Sequence, residues 1–162
     1  MIIVVMGVSG CGKTTVGELL ATRLQLPFVD ADYYHSASSI QKMKGGIPLT
    51  DEDRLPWLHT LASLLVQYEK TGVVLACSAL KASYRNILQQ NLATKVKWLY
   101  LEGSFALLQE RLQNRTDHFM PERLLESQLQ ILEAPADAFT FSITLMPCEI
   151  VEGFVKQIDA DK

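Results

Sequence analysis

The chain has 162 residues, of which 48% are hydrophobic and 20% charged, with a formal net charge of −3. That is enough for one buried core without staples, and its dispersed Lys and Arg residues give no basic patch for a nucleic-acid partner. The start lacks a basic leader region, no stretch nears the ~18 apolar residues of a membrane helix, and the scattered Cys11, Cys77 and Cys148 suggest neither disulfides nor zinc; a single cytoplasmic domain over residues 1–162 is expected.

Strand and helix patterns alternate along the chain. Residues 1–6 (MIIVVM) are a continuous apolar run, as in a parallel strand buried on both faces. Residues 13–25 follow, with Val16, Leu19, Leu20 and Leu24 at helical spacing. Residues 27–30, 73–77, 96–101 and 141–146 read as four further strands. Helical patterns occupy residues 57–69, 80–90, 105–113, 121–132 and 149–158. Strands separated by helices predict right-handed crossovers and an α/β fold, its parallel sheet covered on both faces. Thr50 and Asp53 resemble a capping box, but Pro56 lies beyond the first turn, where it breaks the backbone ladder. The expectation is a short turn over residues 51–54 and a new or kinked helix from Pro56, with Arg54 at the junction.

Between the first strand and the first helix, Gly7, Val8, Ser9, Gly10, Cys11, Gly12, Lys13 and Thr14 fit the pattern GxxxxGK[ST]. Glycines let such a loop curl so that its amides point at a β-phosphate, and the helix that follows offers its positive N-terminus. Lys13 reaches the β and γ oxygens, the Thr14 hydroxyl is a Mg²⁺ ligand, and Thr15 supports the helix start beside these nucleotide contacts. The loop therefore predicts a bound nucleoside triphosphate with Mg²⁺. No Asn-Lys-x-Asp guanine motif is present, and the third strand ends without the carboxylate a motor would show.

Asp30 and Asp32 fall just past the second strand, on the rim shared by the carboxyl ends of parallel strands. Two carboxylates there divide the work of phosphoryl transfer, one orienting the metal and the other taking the acceptor proton. Helix capping is the plainer alternative. His35 is either a packing residue or a site residue. Lys81 and Arg85 are spaced i, i+4 after the third strand, so they share one helix face, either a merely solvated one or one that presents two cations to a small anionic substrate. Arg111 and Arg115 repeat that spacing near a helix end, as dipole compensation or as part of a lid that sets guanidinium groups against the transferring phosphate.

Taken together, the stretches MGVSGCGKTT, DADYYH, KMKGGIPLTDEDRLPWL, CSALKASYR and RTDHFMPERLLESQLQILE resemble the gluconate kinases, small P-loop kinases related in fold to shikimate and nucleoside-monophosphate kinases. The resemblance implies a three-layer α/β/α P-loop fold with strand order 2-3-1-4-5, a mobile lid at about residues 111–125, and a homodimer. It implies ATP-dependent phosphorylation of D-gluconate on its C6 hydroxyl. It places Thr14 and Asp30 at the metal, Asp32 beside the sugar acid, and His35, Arg54, Lys81 and Arg85 around the substrate. Lys13, Asp30, Asp32, Arg111 and Arg115 take the catalytic roles, Arg111 also touching the nucleotide. Three departures from the family pattern stand out: Ser39 in place of an Asn, Asp117 in place of a Gly, and the segment after Ala134.

Overall fold

A computed structural model describes residues 1–115 and 122–161. Five strands form one parallel sheet: β1 (Ile2–Met6), β2 (Phe28–Asp30), β3 (Val73–Ala76), β4 (Lys97–Glu102) and β5 (Phe139–Ser142). Their order is β2-β3-β1-β4-β5, the order the family resemblance implies. Every residue of β1 is buried, because the strand lies between β3 and β4 and the sheet is covered on both faces. The apolar run that opens the sequence is thus the centre of the core.

Among the described residues, seven α-helices connect and cover the strands: α1 (Lys13–Leu24), α2 (Ala37–Lys44), α3 (Asp51–Gln67), α4 (Ala82–Gln89), α5 (Phe105–Gln113), α6 (Glu122–Ile131) and α7 (Pro147–Ala160). α1 packs on α7 and α3 on α4. Gly17 lets α1 close on β2, since a Cβ there would meet the Phe28 ring at 2.6 Å.

Two sequence expectations change, and one helix appears that the sequence reading does not contain. First, α3 runs unbroken through Pro56. The capping box forms in full, with the Thr50 hydroxyl accepting from Asp53 N–H at 3.1 Å and the Asp53 carboxylate accepting from Thr50 N–H at 2.9 Å. With the first turn fixed and Trp57, Leu58, Leu61 and Leu65 buried beyond it, packing outweighs one missing ladder bond. Arg54 therefore sits inside a helix.

Second, the last strand covers Phe139–Ser142 and not residues 141–146. Ile143 still donates to the Glu102 carbonyl at 2.9 Å, but Leu145 N–H then turns back to the Ser142 carbonyl at 3.2 Å. The added helix is α2, which carries no apolar stripe that periodicity would reveal. It forms because the Ser36 hydroxyl caps Ser39 N–H at 3.1 Å, and it ends at Gly45. Ser39, one of the family departures, is buried there. The expected lid straddles residues 116–121, which with Asp117 lie outside the described residues.

Candidate active site

The loop after β1 lies at the carboxyl ends of the strands, where the connection from β1 runs to one side of the sheet and that from neighbouring β4 to the other. Two glycines are required by geometry. Gly7 has φ +146° and a Cβ there would meet the Cys11 sulfur at 2.7 Å, while Gly12 precedes α1 at φ +95°, in the left-handed region. Lys13 folds back over the loop and donates from Nζ to the Val8 carbonyl at 3.1 Å. Its ammonium is thereby held across the loop mouth, ready for a phosphate.

Thr14 and Asp30 meet directly, the hydroxyl donating to Asp30 Oδ2 at 3.0 Å. The other carboxylate oxygen, Oδ1, accepts Asp32 N–H at 2.9 Å and caps the short 3₁₀ turn Ala31–Tyr34. Asp30 thus both caps a turn and faces the phosphate loop. The Asp32 carboxylate is different: its side chain is 83% exposed, and the His35 imidazole lies near it, with Nε2 at 3.9 Å.

His35 is 6% exposed at the side chain. It stacks on Trp57 with ring centroids 4.2 Å apart, and Trp57 Nε1 donates to the Ala31 carbonyl at 2.8 Å. Burial pushes the imidazole pKa below its ordinary value, against the pull of Asp32. Arg54 lowers it further and Asp30 raises it, so the charges of all three residues converge on this ring. At the neighbouring end of β3, burial lifts the Cys77 thiol to about 12, and Asp32, Lys13 and Asp30 all act on it. The packing role and the rim position of His35 therefore coexist.

A second polar cluster lies on α3 and at the start of α4. Arg54 donates from Nη1 to the Leu49 carbonyl at 2.6 Å and to Tyr84 Oη at 3.3 Å. Tyr84 Oη in turn donates to Asp51, which also receives Lys81 Nζ at 3.0 and 3.1 Å. These bonds hold the Asp51 carboxyl below its ordinary range, Tyr84 first and Lys81 next, and lift the Lys81 ammonium above its own. Arg54 and Lys81 each lie 5.6 Å from the centre of the Tyr84 ring.

Arg85 does not join them. Lys81 is the cap residue before α4 and not part of its face. The buried Arg85 guanidinium donates to the carbonyls of Ala79 and Leu80 at 2.9 and 3.2 Å. It braces the β3–α4 loop from behind, where Ala79 takes φ +45°.

Arg111 and Arg115 do converge on the phosphate loop. With Gly10, Cys11, Gly12 and Thr15 they line a cavity of about 330 Å³, closed on its other side by Ile143, Leu145, Pro147 and Ile150. Arg111 Nη2 donates to the Ile143 carbonyl at 2.5 Å. The apolar wall comes from the β5–α7 turn, within the segment that departs most from the family pattern.

Comparison with known proteins decides the family. A family model described as Shikimate kinase matches residues 9–138. A gluconokinase of Gluconobacter oxydans is 47% identical over 137 residues, covering 83% of this chain and 76% of that protein. One from Arabidopsis thaliana is 40% identical over 173 residues, covering 97% and 92%. The chain belongs to the gluconokinase family. A solved gluconokinase from Sinorhizobium meliloti 1021 superposes on it with a TM-score of 0.87 at 41% identity, covering 98% of this chain and 93% of that one.

In this gluconokinase-family chain, sequence reasoning missed Asp51, Tyr84 and the apolar cavity wall. Asp51 lay inside the stretch that carried the resemblance, but it reads there as an ordinary acid in a helix's first turn. Only the fold brings it to Lys81 and Tyr84.

Proposed function

We propose that the protein transfers the γ-phosphoryl group of ATP to the C6 hydroxyl of D-gluconate, giving 6-phosphogluconate and ADP. The observation that carries this reading is the family membership, with gluconokinase relatives matching more than four-fifths of the chain. Residues 7–14, with Thr15, cradle the phosphates, and the cavity between that loop and the β5–α7 turn takes the nucleoside. Thr14 and Asp30 are hard oxygen donors side by side, the kind of partial set that Mg²⁺ takes together with phosphate oxygens and water. They would hold the ion, which supplies charge neutralisation at the phosphates.

Asp30 has both oxygens engaged, whereas Asp32 is open to the acceptor. Asp32 is accordingly the group that aligns the attacking hydroxyl and receives its proton. Arg54 and Lys81 bind the sugar acid's carboxylate, competing with Asp51 for it. His35, held neutral by burial, supplies a hydrogen-bonding edge to a hydroxyl, and Arg85 keeps the pocket wall in place. Arg111 and Arg115 balance charge on the transferring group. A cytoplasmic homodimer is the form expected of this enzyme; among the described residues no helix is long and apolar enough to cross a membrane.

The test is ADP release with ATP and Mg²⁺, adding gluconate, shikimate, AMP and CMP singly beside a no-acceptor control. Strong stimulation by gluconate alone is expected. Stimulation by another acceptor, or by none, overturns the assignment.

A further inference from the structure

Ser9 follows Val8, the residue whose carbonyl receives the Lys13 ammonium at 3.1 Å. That ammonium is the loop's contact with the β and γ oxygens, so Ser9 marks the γ end of the loop. Its backbone N–H does not point into free space. It donates to Gln128 Oε1 at 2.8 Å, a contact between residues 119 positions apart.

Gln128 is half-buried on α6, and α6 is anchored at its far end as well. Just past it, Glu133 N–H donates to the Leu80 carbonyl at 2.9 Å, and Glu133 Oε2 accepts Ala82 N–H at 2.8 Å. Leu80 and Ala82 flank Lys81. One helix therefore ties the γ end of the phosphate loop to the loop that presents the acceptor-side cation.

We infer that Gln128 is a positioning residue for the transferring phosphoryl group. Its side-chain carbonyl fixes the Ser9 amide, and with it the loop conformation at the γ end. The amides of residues 10–14, nearer α1, cradle the β-phosphate without its help. The inference rests on the phosphotransfer reading above, and it makes a distinction that reading does not: Gln128 matters for ATP and not for ADP.

Two variants test it. Gln128→Leu removes the acceptor at similar volume, and Gln128→Asn keeps an amide one methylene too short to reach Ser9. Dissociation constants for ADP and for a non-hydrolysable ATP analogue are measured by calorimetry, which needs no acceptor, and melting curves show whether each variant is folded. Both variants are expected to bind the ATP analogue about tenfold more weakly, the size of one hydrogen bond, with ADP affinity within about twofold. In turnover, kcat falls while the KM for gluconate holds. Equal weakening of both nucleotides, or of neither, overturns the inference and leaves Gln128 a structural contact. Should Gln128→Leu fail to fold, Gln128→Asn carries the comparison. Absence of gluconate-dependent turnover in the unsubstituted protein counts against the function and leaves the ATP-to-ADP ratio intact as a test of Gln128.

Discussion

Asp51 gathers the proposed acceptor side by taking bonds from both Tyr84 and Lys81, while Arg54 reaches it through the tyrosine hydroxyl. On the proposed function, a substrate carboxylate entering here would meet two cations already oriented by a carboxylate it can replace. Arg54→Ala removes the fork that takes one side of that anion. The KM for gluconate should rise about tenfold or more, as loss of a charge-assisted hydrogen bond requires, with the KM for ATP unchanged. Parallel increases in both constants would move Arg54 out of the acceptor site. His35 makes a different demand. Its folded pKa lies below the ordinary 6.5 because it is buried against Trp57. The unfolded chain therefore binds the proton first, and stability falls as pH drops through about 6.5 toward the lower folded value. Thermal melts of His35→Phe, which keeps the stack and removes the proton site, should lose that part of the pH slope. An unchanged slope would place the acid sensitivity elsewhere. What was legible at this scale followed how local each residue's task is. The phosphate loop is a conformation set by consecutive residues, so its spacing announces it. The i, i+4 spacing suggests a rim cation at Arg85, yet the chain turns at Lys81 and sends Arg85 to the carbonyls behind the rim. Spacing alone does not say where a helix begins.

Among the elements, α3 shows how a cap and a buried face together override a proline. Its first turn carries Asp51 and Arg54, so on the proposed function the helix start is also part of the acceptor pocket. Thr50→Ala leaves Asp53 N–H without its acceptor and should destabilise the fold by about 1 kcal/mol, lowering Tm by about 2–4 °C for a domain of this length. The reciprocal half of the box has a pH signature. Asp53 is held down to about 2 by the Thr50 N–H and then by Lys42. Its contribution is therefore complete above the ordinary 3.8 and fades as pH falls toward about 2. Acid titration of stability in Asp53→Asn should lack that component, and identical acid limbs would count against the box as a source of stability. The capping pair was legible because it is a four-residue pattern. α2 was not, because a short helix held by one serine cap and two glycines shows no stripe. The end of the last strand was misplaced for a related reason: Phe139, Phe141 and Ile143 alternate inward as one series, and nothing in that alternation shows that the chain turns after Ser142.

For the whole molecule, the sheet was the most legible feature, since five apolar runs separated by helices leave few topologies. Their order places β1 at the centre and the phosphate loop at the crevice between connections that diverge to either side. Nucleotide binding then acts on the fold as a whole. The loop after β1 touches α1 at Gly12 and α6 through Gln128, and the cavity beside it is shared by the end of α5 and the start of α7. A ligand that binds only this assembled rim stabilises the native state by about 2.7 kcal/mol at a concentration 100 times its Kd. For a domain of this length that corresponds to a rise in Tm of about 5–10 °C. The Lys13 residue is partly exposed, and its side chain donates to the Val8 carbonyl. Lys13→Ala should therefore melt within about 2 °C of the unsubstituted protein when no nucleotide is present. With ATP added at the same concentration, its shift should collapse, because the charge that meets the β and γ oxygens is gone. Scanning calorimetry of both proteins, with and without ATP, separates the two effects. A full shift retained by Lys13→Ala would mean that ATP stabilises the fold from somewhere other than this loop.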